Sequence, residues 1–150
     1  MLEVVKATGQ HAEAIVDFQL KMALETENLA LDRDTVSNGV DHIFENPATG
    51  YYRVALDIEE VVASLLVLYE WSDWRNGNVL WMHSVYVLPQ YRGKGVFAQM
   101  YRQLQEEVSA DASLRGIRLY VDKTNVKARS VYRKLGMSPD HYELFEWMKE

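Results

Sequence analysis

Residues Val79–Val108 read VLWMHSVYVLPQYRGKGVFAQMYRQLQEEV. From Val79 to Val87 the run is apolar on both alternating faces, as a central strand covered on both sides requires. A loop follows that holds Arg92, Gly93, Lys94 and Gly95. Apolar residues then recur at helical spacing, at Phe97, Met100, Tyr101, Leu104 and Val108, which predicts an amphipathic helix. Strand, cationic glycine loop and helix in this order bring backbone N–H groups and positive side chains to a helix N-terminus. That is a favourable place to hold phosphate. The segment predicts a grip on a phosphate-bearing cofactor.

Working outward, Leu2–Lys6 reads as a first strand, and Thr8 caps a helix over about Gly9–Leu24 with Ala12, Ile15, Val16, Met22 and Ala23 on its inner face. An acidic stretch, Glu25-Thr26-Glu27-Asn28, comes next, then a second helix over roughly Thr35–Phe44 that ends at Asn46-Pro47. Tyr51–Leu56 and Val61–Trp71 flank an acidic turn at Asp57–Glu60. A connection that short cannot house a crossover, so the two strands form an antiparallel hairpin. On the far side, Ile117–Val121 is a fifth strand reached through a helix and therefore parallel to Val79–Val87. Asn125 caps a last helix with Ala128, Val131, Tyr132 and Leu135 inward, Gly136 stops it, and Tyr142–Met148 reads as a final strand. The order is a mixed α/β sheet, an antiparallel meander followed by a β-α-β-α-β half with one parallel crossover.

The chain has 150 residues, 48% of them apolar and 25% charged, which fits one soluble globular domain spanning 1–150. It contains no cysteine, so disulfides, thiolate metal sites and thiol nucleophiles are excluded and a cytoplasmic home is expected. The opening residues MLEVVKATGQ have neither the basic nor the apolar region of a signal peptide. The net charge of −6 is unevenly spread: residues 1–75 hold 14 acids and 5 bases, residues 76–150 hold 8 acids and 11 bases. That asymmetry suits a cationic substrate and an anionic cofactor. No dense basic stripe suggests nucleic acid, and no apolar run suggests a membrane.

Gly93-Lys94-Gly95-Val96-Phe97-Ala98 formally matches the dinucleotide fingerprint G-x-G-x-x-[GA], with Asp122 as a ribose-binding acid. A nucleotide-binding oxidoreductase is therefore one alternative. It ranks second, because Leu88–Arg92 separates the strand from the first glycine where the fingerprint wants a tight turn. Only one βαβ unit is present, and Asp122 stands too far along the chain. The ATP-type loop fails, since Gly93-Lys94 is followed by Gly95 instead of Ser or Thr.

Two segments taken together decide between these readings. YVLPQYRGKGVF (Tyr86–Phe97) and NVKARSVYRKLGM (Asn125–Met137), with its N-xx-A-xxx-Y-xxx-G spacing, strongly resemble the GNAT acetyltransferase superfamily. Glu25-Thr26-Glu27 and Glu70-Trp71-Ser72-Asp73-Trp74 look like a subgroup of small, single-domain bacterial members. The resemblance implies a GNAT-type fold and an acetyl-CoA site. Backbone N–H groups of Arg92, Gly93, Lys94, Gly95, Val96 and Phe97 would hold the pyrophosphate. Val85 and Val87, flanking Tyr86, would offer main-chain hydrogen bonds to the pantetheine arm, laid like an added strand at an opened sheet edge. Asn125 and Ala128 would contact the cofactor, and Tyr132 would approach its sulfur. Phe97 departs from the pattern, which usually has Gly or Ala there.

Acyl transfer needs a neutral amine and a way to expel thiolate. Without cysteine, direct attack in a ternary complex is the simpler route. Tyr132, with an ordinary pKa of about 10, is the candidate general acid. His83, with an ordinary pKa of about 6.5, is the candidate base, and alternation aims it with Val85 unless a bulge intervenes. Glu70 is the rival base. Glu25 and Glu27 are candidates to orient a cationic amine, and Trp71 and Trp74 (with Tyr69) to wall its pocket through cation–π contact. The expected partner is a small-molecule amine, with a homodimer through the last strand as an option. A fold-preserving acyl-CoA sensor without turnover is the remaining alternative.

Overall fold

A computed structural model describes residues 2–150 as two compact units, the first ending at Arg118 and the second spanning Leu119–Glu150. In the first unit, β1 is Leu2–Lys6, α1 Ala12–Glu27, α2 Arg33–Glu45, β2 Gly50–Asp57, β3 Glu60–Ser72, β4 Gly77–Val87, α3 Val96–Ala110 and β5 Leu114–Arg118. The strands make one sheet in chain order; β1 to β4 pair antiparallel and β5 joins β4 in parallel. The meander and the single parallel crossover expected from sequence are both present. Among the described residues no helix is long and apolar enough to cross a membrane.

Side-chain alternation sorts the helices between the two faces. Tyr52 and Val54 of β2 pack with Ile15 and Val16 of α1 and with Val40 and Ile43 of α2. The intervening Arg53 donates instead to Gln103 and pairs with Glu107, both on α3. Successive strand residues point to opposite faces, so α1 and α2 cover one face and α3 the other. Leu65, Leu80, Met100 and Leu104 are fully buried, each contributing about 1.5–3 kcal/mol relative to exposure.

Three boundaries differ from the sequence reading. Helix α1 runs on to Glu27, because Asn28 closes it in the left-handed conformation (φ 52°) with its N–H on the carbonyls of Ala23 and Leu24. Glu25 and Glu27 therefore stand on the last helical turn instead of in a loop. The fifth strand lies at Leu114–Arg118, earlier than Ile117–Val121, since its register matches only Asn78–Trp81 of β4. The final strand is not formed: 142–148 carries no strand, and Tyr142, Leu144, Phe145, Trp147 and Met148 are exposed. An alternating apolar pattern becomes a strand only when a neighbour accepts its backbone hydrogen bonds.

The second unit contains α4, Val126–Lys134. Asn125 caps it, its side-chain oxygen accepting from the Ala128 N–H at 3.1 Å. Gly136 at φ 90° ends it in a Schellman arrangement, with Gly136 N–H on the Arg133 carbonyl and Met137 N–H on that of Tyr132. Both ends lie where the sequence puts them.

At the start of β2, a Cβ on Gly50 would stand 2.1 Å from the Val67 carbonyl oxygen, which no backbone can tolerate. Gly50→Ala should therefore lower the unfolding free energy by about 1–3 kcal/mol. Urea denaturation checks this, and an unchanged midpoint would refute the close β2–β3 approach.

Candidate active site

The site begins with one extra residue in β4. Opposite the two-residue step from Ser64 to Leu66 on β3, β4 takes three residues, from Tyr86 back to His83. Ser84 absorbs the difference at φ 53°, so β4 carries a β-bulge. Beyond it β4 stays paired to β3 as far as Val87, whereas its pairing with β5 stops at Trp81. Among the described residues of the first unit, no strand continues beside Met82–Val87 on that side. The Leu88 N–H points back to β3, donating to the Val62 carbonyl at 2.9 Å. Antiparallel backbone groups alternate, so those of Tyr86 also face β3 while those of Val85 and Val87 face the open edge.

That edge leads into the glycine loop. Pro89–Tyr91 forms a 3₁₀ turn, and the Tyr91 hydroxyl donates to Asp57 at 2.6 Å, tying the turn to the β2–β3 hairpin. This bond is the largest cause of raising the Tyr91 pKa to about 12. Gly93 and Gly95 adopt φ 75° and 77°, with open space where a Cβ would stand. Their positive φ, not crowding, is what requires glycine. The α-helical ladder starts with Gln99 N–H on the Gly95 carbonyl at 3.0 Å. The N–H groups of Val96, Phe97 and Ala98 thus precede it at the positive end of α3. Lys94 adds its charge beside them, its Nζ 5.8 Å from the centre of the Tyr91 ring.

On the α1 face, Glu25 is held from two sides. The Tyr86 hydroxyl donates to Glu25 Oε1 at 3.0 Å, and Arg92 Nη2 donates to Oε2 at 2.9 Å. Arg92 Nε also donates to the Val87 carbonyl at 2.8 Å, and its guanidinium lies 5.3 Å from the centre of the Tyr86 ring. The Tyr86 ring leans on Phe18 of α1, centroids 5.0 Å apart. The Arg92 hydrogen bond is the main cause lowering the Glu25 pKa, so the carboxylate stays ionised. Burial, then Glu25, raises that of Tyr86.

The bulge changes which side chains share a face. His83 lies opposite Leu66, Trp81 opposite Leu68 and Tyr86 opposite Ser64. His83 therefore shares its face with Trp81 and Tyr86, and not with Val85 as unbroken alternation would have it. Its ring stacks on Trp81, centroids 6.1 Å apart at 20°. Burial lowers the His83 pKa below 6.5. Glu70 has both oxygens engaged, accepting from Trp81 Nε1 at 2.7 Å and Arg118 Nη1 at 2.8 Å. Trp71 and Trp74 lie towards the turn of the β3–β4 hairpin, 61% and 89% exposed. Glu27 is exposed at the end of α1.

Within the second unit, Tyr132 is half-buried on α4 and lines a cavity of about 90 Å³ with Leu119, Val121, Arg129 and Met137. Desolvation there raises the phenol pKa above 10.

A family model described as Acetyltransferase (GNAT) family matches residues 14–137, most of the chain. The protein belongs to the GNAT acetyltransferase family. Over its whole length the chain is similar to the crystal structure of a possible acetyltransferase from Clostridium difficile 630 (36% identity, TM-score 0.93, covering 100% of this chain and 99% of that one). A predicted acetyltransferase from Clostridium acetobutylicum, solved with acetyl-CoA, shares the fold at 19% identity (TM-score 0.73, covering 100% and 96%). Thialysine N-epsilon-acetyltransferase of Bos taurus is 32% identical over 76 residues, 51% of this chain and 44% of that protein. The chain thus spans less than half the length of that relative.

Among GNAT features, Phe97 is the departure noted in sequence. Its ring lies along α3 and stacks on Tyr101, centroids 6.2 Å apart at 18°. Sequence reasoning did not find Phe18 or Asp57, nor the side-chain ties of Tyr86 and Arg92 to Glu25. No motif marks these contacts, which join positions 34 to 68 residues apart.

The lowered His83 pKa carries a sign. The unfolded chain binds a proton at His83 more readily than the folded one, so this residue's share of stability is complete above pH about 6.5 and is lost as pH falls from there through the folded value. NMR titration of the His83 ring should give a midpoint below 6.5; one above it would contradict the desolvated placement.

Proposed function

We propose that this protein is an N-acetyltransferase moving an acetyl group from acetyl-CoA to a small cationic amine within a ternary complex. The observation that carries the reading is the open edge at Val85 and Val87, which runs directly into the glycine loop and the N-terminus of α3. An extended amide-bearing arm ending in a pyrophosphate matches that sequence of groups: edge N–H and C=O for the arm, loop and helix N–H for the phosphates. The unfilled space at Gly93 and Gly95 leaves the backbone approachable. The Clostridium acetobutylicum structure, solved with acetyl-CoA on the same fold, supports this choice.

Acetyl-CoA supplies an activated acyl thioester. This chain's residues do the rest. Glu25 and Glu27, at the end of α1, attract the ammonium form of the acceptor. His83, desolvated and therefore neutral near pH 7, accepts a proton from that ammonium, directly or through one water. The freed nitrogen bonds to the acyl carbon as the carbon–sulfur bond breaks, and the second proton it sheds in becoming an amide replaces the one that Tyr132 gives to sulfur. Tyr132, whose burial keeps its phenol protonated, donates to the departing sulfur. Glu70 is committed to Trp81 and Arg118, which suits it to orienting the Trp81–His83 stack better than to taking the proton. Asn125 and Ala128 serve the cofactor from the start of α4. A chain without cysteine suits a reducing, cytoplasmic setting.

Incubation with acetyl-CoA and a panel of amines, followed by free-thiol titration, tests the reading. Release that depends on an amine is expected; binding of CoA without release would favour the sensor alternative. Tyr132→Phe should lower kcat by about 10²-fold or more with the KM for acetyl-CoA nearly unchanged. Full turnover in that variant would remove Tyr132 as the acid.

A further inference from the structure

Arg92 touches both halves of the proposed site at once. One nitrogen holds the carboxylate of Glu25 and another holds the Val87 carbonyl, which belongs to the open edge of β4. Both side chains are about 40% exposed, Arg92 at 42% and Glu25 at 40%. The pair is therefore within reach of any ligand entering from either side. Arg92 also opens the loop whose next residues, Gly93 and Gly95, carry the positive-φ turns before α3. A guanidinium so placed has two competing anionic partners: the Glu25 carboxylate within the chain and a phosphate at the loop. Both draw on the same charge, and a phosphate that takes Nη2 takes it from Glu25.

We infer that Arg92 is a latch that withholds Glu25 from the amine until a pyrophosphate at the loop draws the guanidinium away, so that the bound cofactor opens the Glu25 carboxylate to the acceptor. The inference rests on the acetyl-CoA reading above and adds to it a coupling between the two sites through one ion pair. With the latch closed, Glu25 Oε2 is occupied and an ammonium has to compete with a guanidinium for it. When a phosphate takes Arg92, Oε2 is vacated while Tyr86 still holds Oε1, so the carboxylate keeps its position and gains a vacancy for a cation. Tyr86 is then a positioning residue. It is well suited to that part, since its ring is wedged against Phe18 and the hydroxyl cannot follow Arg92. Coupling of this kind is reciprocal: whatever the cofactor gains for the amine, the amine gains for the cofactor.

The latch makes a prediction opposite in sign to that of an ordinary binding residue. Part of the cofactor's binding energy is spent opening the Glu25–Arg92 pair, so removing Glu25's charge should tighten cofactor binding. Calorimetric titration of coenzyme A into the wild type, Glu25→Gln, Arg92→Gln and the double variant reads this directly, with circular dichroism confirming that each is folded. The expected result is a Kd about two- to fivefold lower in Glu25→Gln, the scale of one exposed ion pair, and a higher Kd in Arg92→Gln. In the Arg92→Gln background the Glu25 substitution should give no gain. Unchanged or weaker binding by Glu25→Gln overturns the latch, as does a gain that persists without Arg92, which would mark simple repulsion between Glu25 and phosphate. Failure of the wild type to bind coenzyme A overturns the acetyl-CoA reading and the latch together. If Glu25→Gln does not fold, Glu25→Asp, which withdraws the carboxylate by one methylene, is read in the same way.

Discussion

One extra residue in β4 governs the geometry of the site. Ser84, held at φ 53°, lets β4 keep its ladder with β3 while parting from β5 after Trp81. A non-glycine residue in that region is strained by about 1–3 kcal/mol, and the surrounding sheet has to hold it there. It does so from one side, through β3, where Val62, Ala63, Ser64 and Leu65 are all fully buried. The same bulge does two further things. It turns the backbone of Val85 and Val87 toward the side from which β5 has parted. It also brings Tyr86, in place of Val85, onto the face of Trp81 and His83, where α1 brings Phe18 and Glu25.

The loop that follows is fixed by polar contacts of very different strength. Asp57 holds Tyr91 through a short charge-assisted bond at the base of the loop. Glu25 holds Arg92 through an exposed ion pair, worth on the order of 0.2–1 kcal/mol once solvent screening is allowed for. The first is an anchor and the second is weak enough to exchange. That contrast lets the loop's base stay fixed while one of its cations can change partner. Glu70 shows the other extreme, with two donors on its two oxygens beside the His83 stack.

Much of this could be read from residues alone. Gly93 and Gly95 before an amphipathic run gave away the loop and the start of α3, and Asn125 with Gly136 gave both ends of α4, because capping and left-handed turns have local signatures. The parallel placement of β5 followed from the length of the crossover. The bulge had no such signature: serine is not a residue that favours left-handed backbone, and only register between strands reveals it. The run at 142–148 failed for the complementary reason, since alternation describes a side-chain pattern and says nothing of a partner's backbone. Glu25 was singled out for its charge alone, and its bonds to Tyr86 and Arg92 depend on how α1 crosses the sheet, which no spacing encodes.

The central claim is that the edge of β4 and the N-terminus of α3 together receive a CoA thioester. Amide hydrogen exchange followed by NMR, with and without coenzyme A, addresses those groups one by one. The account predicts slowed exchange on addition of coenzyme A at Val85, Val87 and the amides of Gly93–Ala98, with the β1–β2 amides unaffected. Protection confined to other parts of the chain, with Val85 and Val87 exchanging as before, would contradict it.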